Sequence, residues 1–170
     1  MREAGLMVAD KSAHRAQRFF LNTHPQEVGT LQLNESLRAL REQYPELHIT
    51  IEIHEAAVTD PATMLAFRTS LRELRMELSY DDFGAGQGRL LELADCPPDV
   101  LKFDMQLIRG IDSATATRQE LLATLVRMSV DLGTIPLAEG VETNAEHDVC
   151  RQMGFVLGQG FYYGRPCAFP

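Results

Sequence analysis

Two adjacent carboxylates are the residues of this chain that are best suited to chemistry. Asp81 and Asp82 follow an apolar run and lead directly into a loop that contains Gly84 and Gly86. Side chains alternate across a strand, so two neighbours can share one site only where the strand ends and the backbone turns. Two like charges side by side repel each other unless a cation or a proton separates them. The pair is therefore a candidate site for a divalent metal ion, and the alternative interpretation is an acidic surface turn.

Polar residues recur at the ends of the other predicted strands, and they are Asn22, Glu52, Lys102 with Asp104, Glu139 with Glu142, and Gln159. In a parallel α/β barrel these strand ends converge on the face that carries the catalytic residues. Carboxylates and an amide oxygen make a hard oxygen site, which suits Mg²⁺ or Mn²⁺. Asp81 could bridge two ions about 3.5–4 Å apart, as in two-metal phosphoester hydrolases. The alternative is that some of these residues, Asp104 above all, form ion pairs that fill the barrel interior.

Short apolar runs alternate with helical patterns along the whole chain. The predicted strands are 18–22, 48–54, 76–80, 100–104, 135–139 and 155–160, and the predicted helices are 31–44, 61 through 71, 89–94, 119–132 and 145–153. Six repeats of this alternation predict parallel strands joined by crossover helices. We see no repeat or linker that would divide the chain, so residues 1–170 are expected to form one domain.

Composition narrows the classes of partner. The 170 residues carry a formal net charge of −8, which argues against polymeric nucleic acid or an anionic membrane as a partner. No run approaches the roughly 18 apolar residues that would suggest a membrane span, and residues 1–10 lack the pattern of a signal peptide. The three cysteines, Cys96, Cys150 and Cys167, show no zinc spacing. Free thiols in a reducing cytoplasm are the expected state.

These motifs resemble the EAL domain, the bacterial phosphodiesterase domain that hydrolyses cyclic di-GMP. The similar segments occur in the family's order, and they are Phe20-Leu21-Asn22, Ile51 to Glu55, Tyr80 to Gly86, Leu101 to Asp104, Ala138 to Thr143, and Gly158 to Phe161 with Arg165-Pro166. The segment Ala138-Glu139-Gly140-Val141-Glu142-Thr143 matches a family signature almost letter for letter. The resemblance spans most of the chain.

The resemblance implies a site with two metal ions, Mg²⁺ or Mn²⁺. Asn22, Glu52 and Asp81 would bind one ion. Asp81 and Asp82 would bind the second ion, with Glu139 as a direct or water-mediated ligand.

The resemblance also implies catalytic and supporting roles, and a product, pGpG. Lys102 would act on the nucleophilic water or on the scissile phosphate, with Asp82 and Glu139 as the other catalytic residues. Gln159 and Glu142 would contact the ligand. Glu55 and Asp104 would stabilise loops, Glu55 the one that follows Asp82.

One departure from the family pattern bears on activity. No Glu-Ala-Leu segment occurs in the sequence, although its Glu is a metal ligand in the family. The family's first two strands and first helix are not recognisable either, so the expected fold is an incomplete TIM-type (β/α) barrel, a single truncated EAL domain with six of eight strands. A full barrel takes about 250 residues.

Two consequences are expected from this departure. Hydrolysis of cyclic di-GMP by this chain should be impaired. The alternatives to a phosphodiesterase are a non-catalytic module that binds cyclic di-GMP or a protein, and an enzyme that acts on another phosphoester. The strand edges of an incomplete barrel should be covered by a second copy of the chain, by another partner chain, by a rearranged N-terminus or by sequence that the 170 residues lack.

Overall fold

The computed structural model describes residues 17–54, 60–86 and 90–166. The strands are β1 (Arg18–Asn22), β2 (His48–His54), β3 (Glu77–Phe83), β4 (Val100–Phe103), β5 (Ile135–Ala138) and β6 (Leu157–Gly158). The helices are α1 (Leu31–Gln43), α2 (Pro61–Glu73), α3 (Leu90–Asp95), α4 (Met105–Ile108), α5 (Ala116–Asp131) and α6 (Asn144–Met153), with short 3₁₀ turns at Pro25–Glu27 and Ile111–Ser113. The strands follow chain order in the sheet. β1 pairs with β2, β4 with β5, and β5 with β6, each time in parallel, which confirms the predicted alternation.

Backbone contacts divide the chain into two compact units, and the division falls between Ser79 and Tyr80, inside β3. In the first unit, Ile49, Ile51 and Ile53 of β2 are fully buried or nearly so. Thr50 and Glu52, on the opposite face of the strand, are also buried. β2 is therefore covered on both faces, as parallel strands usually are, and only His54 at its end is exposed.

A buried arginine joins the ends of two helices in the first unit. Arg41, in the last turn of α1, is 8% exposed. It donates hydrogen bonds to the carbonyl oxygens of Leu74 and Arg75, which follow α2, and to those of Tyr44, Pro45 and Leu47, which follow α1. Tyr44 and Leu74 are the C-caps of α1 and α2, and the carbonyls at a helix end have no partner inside the helix. One guanidinium satisfies these two carbonyls and three that lie beyond the helices.

The second unit has an aromatic centre. Phe103 of β4 is fully buried, and its ring meets those of Phe83 and Phe155 edge to face, with centroids 5.2 and 5.1 Å apart. This arrangement is one that aromatic pairs prefer. It fixes the ends of β3 and β4 against each other and so determines where the polar residues after them lie.

The strand ends differ from the prediction by a few residues. The strand predicted at 76–80 continues to Phe83, and the one predicted at 155–160 is reduced to Leu157–Gly158. Asp104 and Glu139 lie just after β4 and β5 rather than inside them. The prediction that residues 1–170 form one domain stays a prediction. In the described part of the chain, no helix is both long enough and apolar enough to cross a membrane.

Candidate metal and phosphodiester site

Asp81 and Asp82 share one side of the chain because the backbone leaves the regular strand conformation between them. Asp82 has φ of +61°, a left-handed conformation that costs a non-glycine residue about 1–2 kcal/mol. Its side chain therefore does not alternate to the far face of β3. The next turn depends on Gly84, with φ of +93°, where an added Cβ would lie 2.5 Å from Cδ1 of Leu107. The predicted turn is thus present, although β3 runs through both carboxylates.

Lys102 lies between two carboxylates. It is 4% exposed, and its Nζ lies 2.8 Å from Oδ1 of Asp81 and 2.7 Å from Oε1 of Glu139. β4 supplies the lysine, and Glu139 follows β5, where its N–H donates to the carbonyl of Phe103 at 3.1 Å. The strand order therefore brings together residues that are 21 and 37 positions from Lys102 in the sequence.

The donor set fits a divalent cation. Asp81, Asp82 and Glu139 each offer a carboxylate oxygen, and these three oxygens lie within 4.8 Å of one another. Three carboxylates beside one ammonium leave a net charge of −2 when all are ionised. Hard oxygen donors are the ligands that Mg²⁺ and Mn²⁺ prefer. Burial raises the pKa of Glu139, and the ammonium of Lys102 opposes that shift.

A pocket opens beside these carboxylates. Its volume of about 330 Å³ is within the range of small-molecule sites. Its lining includes Asp81, Asp82, Glu139, Glu142 and Gln159. Gly140, with φ of +67°, forms part of the wall, and an added Cβ there would lie 2.5 Å from that of Met105. With Asp104, which also lines it, six residues predicted from the sequence therefore line one cavity in the second unit.

Asp104 caps the start of a helix, whereas the sequence predicted it as the last residue of a strand. It lies after β4, and its Oδ1 accepts the N–H of Gln106 at 2.8 Å, which caps α4. Its own N–H donates to the carbonyl of Phe83 at 3.1 Å. These bonds connect the end of β3 to the start of α4, and the loop-stabilising role of Asp104 stays a prediction. Asp104 also lines the pocket.

The first unit contains a polar pair of its own. Asn22 and Glu52 lie opposite each other in the β1–β2 register, at or near the carboxyl ends of both strands. Glu52 is 4% exposed, whereas Asn22 is exposed. Their predicted metal-binding role stays a prediction, and Glu55 lies outside the described residues.

Two charged residues that line or support the pocket were not predicted from the sequence. Arg109 lines the pocket, and Glu146 is a buried carboxylate behind it, 5% exposed. Glu146 accepts the N–H groups of Gly110, Glu142 and Thr143 at 2.8, 2.8 and 3.0 Å. A sequence signal for Glu146 exists, because Thr143 and Glu146 have the spacing of a capping box, and the structure contains one.

Replacing Glu146 by glutamine should destabilise the protein by about 1–3 kcal/mol, because charge-assisted hydrogen bonds to three backbone N–H groups are weakened. Burial favours protonation of Glu146, but these bonds outweigh it and hold its pKa below the usual value. The folded-state pKa is the lower one, so its contribution is present above the unfolded pKa and is lost as the pH falls through the folded pKa.

The difference in the free energy of unfolding between wild type and E146Q, measured by urea denaturation, should therefore be full at pH 7 and shrink below about pH 4. Glu120→Gln, at an exposed position on α5, is the control and should change little at either pH. A difference that stays constant from pH 7 to pH 3 would contradict this account.

Comparisons with known proteins place the chain in a family. The EAL domain family model matches residues 2–166. The cyclic di-GMP phosphodiesterase RocR of Pseudomonas aeruginosa is 28% identical over 167 residues, which is 95% of this chain and 42% of RocR. A probable cyclic di-GMP phosphodiesterase of Escherichia coli, PdeB, is 29% identical over 159 residues, which is 86% of this chain and 30% of PdeB.

Solved structures give the same result. Klebsiella pneumoniae BlrP1, in complex with calcium and cyclic di-GMP, has a TM-score of 0.84 at 31% identity over 96% of this chain and 42% of BlrP1. A BlrP1 complex with manganese and cyclic di-GMP has a TM-score of 0.84 at 30% identity, covering 98% of this chain and 43% of that one. The EAL domain of Mycobacterium smegmatis DcpA has the same fold, with a TM-score of 0.84 at 24% identity over 95% of this chain and 73% of DcpA's.

The chain therefore belongs to the EAL domain family. The matches confirm the predicted fold class, an incomplete TIM-type α/β barrel. Divalent metals are the family's cofactors, with manganese and calcium in the BlrP1 complexes. The chain spans less than half the length of RocR and PdeB.

Proposed function

We propose that this chain binds cyclic di-GMP with divalent metal ions in the pocket beside Asp81, and that the site is of the phosphodiester-hydrolysing type. The observation that carries the proposal is the constellation of Lys102 between Asp81 and Glu139, with Asp82 beside it. A module with only a structural role gains nothing from three clustered carboxylates, which cost stability when they are not compensated. This cluster favours a metal-binding site over a module with only a structural role.

The proposed function gives separate roles to the residues that bind metal, act on the phosphate and contact the ligand. Asp81, Asp82 and Glu139 would hold metal ions, and a metal-binding role for Asn22 and Glu52 stays a prediction from the sequence. When bound, such ions polarise a phosphodiester and lower the pKa of a water molecule for in-line attack. The ammonium of Lys102 can donate to a phosphate oxygen or orient the attacking water. Gln159, exposed at the end of β6, would contact the ligand, and the product would be pGpG.

Turnover should be limited by weak metal binding. The sequence lacks the Glu-Ala-Leu segment whose carboxylate binds metal in the family. Loss of one charged oxygen ligand lowers the affinity of a site for a hard cation, because charge and ligand number set that affinity. We therefore expect product formation from cyclic di-GMP to keep rising as Mn²⁺ increases from micromolar to millimolar concentrations. Saturation at micromolar Mn²⁺ would contradict this explanation.

Lys102→Met should separate binding from chemistry. Methionine keeps much of the length of the side chain but removes the ammonium, so pGpG formation should fall by about a hundredfold or more, the magnitude of a positioned catalytic group. Cyclic di-GMP binding in Ca²⁺ should stay within about tenfold of wild type, because the carboxylates that hold the metal remain. Calorimetry and chromatography of the same sample measure both quantities.

The matched control for Lys102→Met is Arg127→Met, which removes an exposed cation from α5. It should change neither binding nor product. Equal product formation by K102M and wild type would overturn the role of Lys102.

Partners and location are part of the same proposal. β1 and β6 are first and last in the strand order of the described residues, and we expect a second copy or another chain to cover such edges. Sedimentation over a wide concentration range would test this, and a species that stays monomeric throughout would contradict it.

Cys96 and Cys150 are buried free thiols, which supports a reducing cytoplasm.

A further inference from the structure

An ion pair in the pocket lining takes no part in the proposed metal chemistry, although one member, Glu142, was predicted to contact the ligand. Nη2 of Arg109 lies 2.5 Å from Oε1 of Glu142, and both side chains line the same pocket as the metal-binding carboxylates. The two side chains are 52% and 40% exposed. Within the described ranges, they form no other side-chain hydrogen bond, so the guanidinium keeps free N–H donors and the carboxylate keeps free lone pairs on the pocket side.

The backbone under this pair is held by a single buried group. Oε1 of Glu146 accepts the N–H of Gly110, next to Arg109, and Oε2 accepts the N–H of Glu142, each at 2.8 Å. One carboxylate thus fixes the spacing of the two segments that carry the pair. Such preorganisation reduces the entropy that a ligand must remove from the two side chains.

A guanidinium beside a carboxylate complements one nucleobase edge in particular. The Watson–Crick edge of guanine presents the O6 acceptor next to the N1–H and N2–H donors. Arginine donates to guanine O6, and a carboxylate can accept N1–H and N2–H together. We infer that Arg109 and Glu142 recognise a guanine base of the bound dinucleotide and determine base specificity, an inference that rests on the proposed function.

Adenine would meet the same pair with the wrong groups. Its N6 amino donor would face the guanidinium, and its N1 acceptor would face the carboxylate. Specificity then comes from repulsion of adenine as well as from attraction of guanine. Glutamine at position 142 could rotate to offer either a donor or an acceptor, so E142Q should lose discrimination without losing the shape of the side chain.

The test compares cyclic di-GMP with cyclic di-AMP by calorimetry in Ca²⁺, the ion present in one BlrP1 complex. Wild type should prefer cyclic di-GMP by about a hundredfold, and E142Q should reduce that preference by about tenfold or more. Arg109→Met should weaken cyclic di-GMP binding by a similar factor. Glu120→Gln, which alters an exposed ion pair on α5, is the matched control. Its preference for cyclic di-GMP should equal that of wild type.

The outcomes separate the two proposals. A preference that survives unchanged in both E142Q and R109M overturns the role of this pair, while the proposed function stands if wild type binds cyclic di-GMP. No binding of cyclic di-GMP by wild type overturns the proposed function and this inference with it. Both altered sites are exposed, so thermal unfolding of both variants should match that of wild type within a few degrees.

Discussion

Asp81→Asn is expected to abolish the metal-dependent behaviour of this protein. Asparagine keeps the size of the side chain and one oxygen, but it removes the charge from a carboxylate that lies within 4.8 Å of the oxygens of Asp82 and Glu139. Bound metal ions supply several kcal/mol of transition-state stabilisation, so pGpG formation in Mn²⁺ should fall by about a thousandfold or more. Binding of cyclic di-GMP, which we expect to require the metal, should be lost as well.

The fold should survive this change. The asparagine at position 81 keeps an oxygen that can accept a hydrogen bond from Lys102. The free energy of unfolding should therefore fall by only about 1 kcal/mol, the value of a typical hydrogen bond. Asp131→Asn, at an exposed position ending α5, is the matched control and should behave as wild type. Circular dichroism distinguishes loss of metal from loss of fold. Metal-dependent binding of equal strength in D81N and wild type would contradict the assigned site.

Arg41→Met should produce the largest loss of stability. Methionine matches the apolar part of the side chain but donates nothing, so five carbonyl oxygens between Tyr44 and Arg75 lose their partner at once. The carbonyl of Arg75 belongs to a residue held at φ of +52°. Hydrogen bonds to charged groups contribute about 1.5–3 kcal/mol each but do not add fully, so the expected loss is about 3–5 kcal/mol.

Urea denaturation measures this loss. Arg38→Met is the matched control, because Arg38 is exposed one turn earlier on the same helix, and it should change stability by about 0.5 kcal/mol or less. A difference below about 1 kcal/mol between R41M and R38M would show that water replaces the guanidinium at these carbonyls. Burial lowers the pKa of Arg41, assisted by the nearby charge of Arg75.

Much of the fold was predictable because each strand and helix has its own local signal. β1 and β2 have the predicted bounds, and α6 ends at Met153 as predicted, with Gly154 at φ of +101° as its C-cap. Asp81, Asp82, Glu139, Glu142 and Gln159 were predicted from a single rule, polar residues at the ends of parallel strands. The structure brings these five residues to one pocket.

The rest could not be predicted because it depends on the tertiary structure. Nothing near Arg41 in the sequence indicates that the carbonyls of Leu74 and Arg75 lie within reach. Arg109 follows a short helix without any strand-end signal. The end of β3 was predicted too early because the strand continues through a left-handed residue, Asp82. β6 is limited to Leu157–Gly158, whereas residues 155–160 were predicted.

The most direct test of the central claim is a calorimetric titration of cyclic di-GMP into the protein with Mn²⁺, followed by analysis of the same sample for pGpG. We expect binding that requires the metal, slow formation of pGpG, and loss of both in D81N. Absence of binding at any Mn²⁺ concentration, or binding that D81N leaves unchanged, would contradict the claim that the carboxylates around Lys102 form a metal and cyclic di-GMP site.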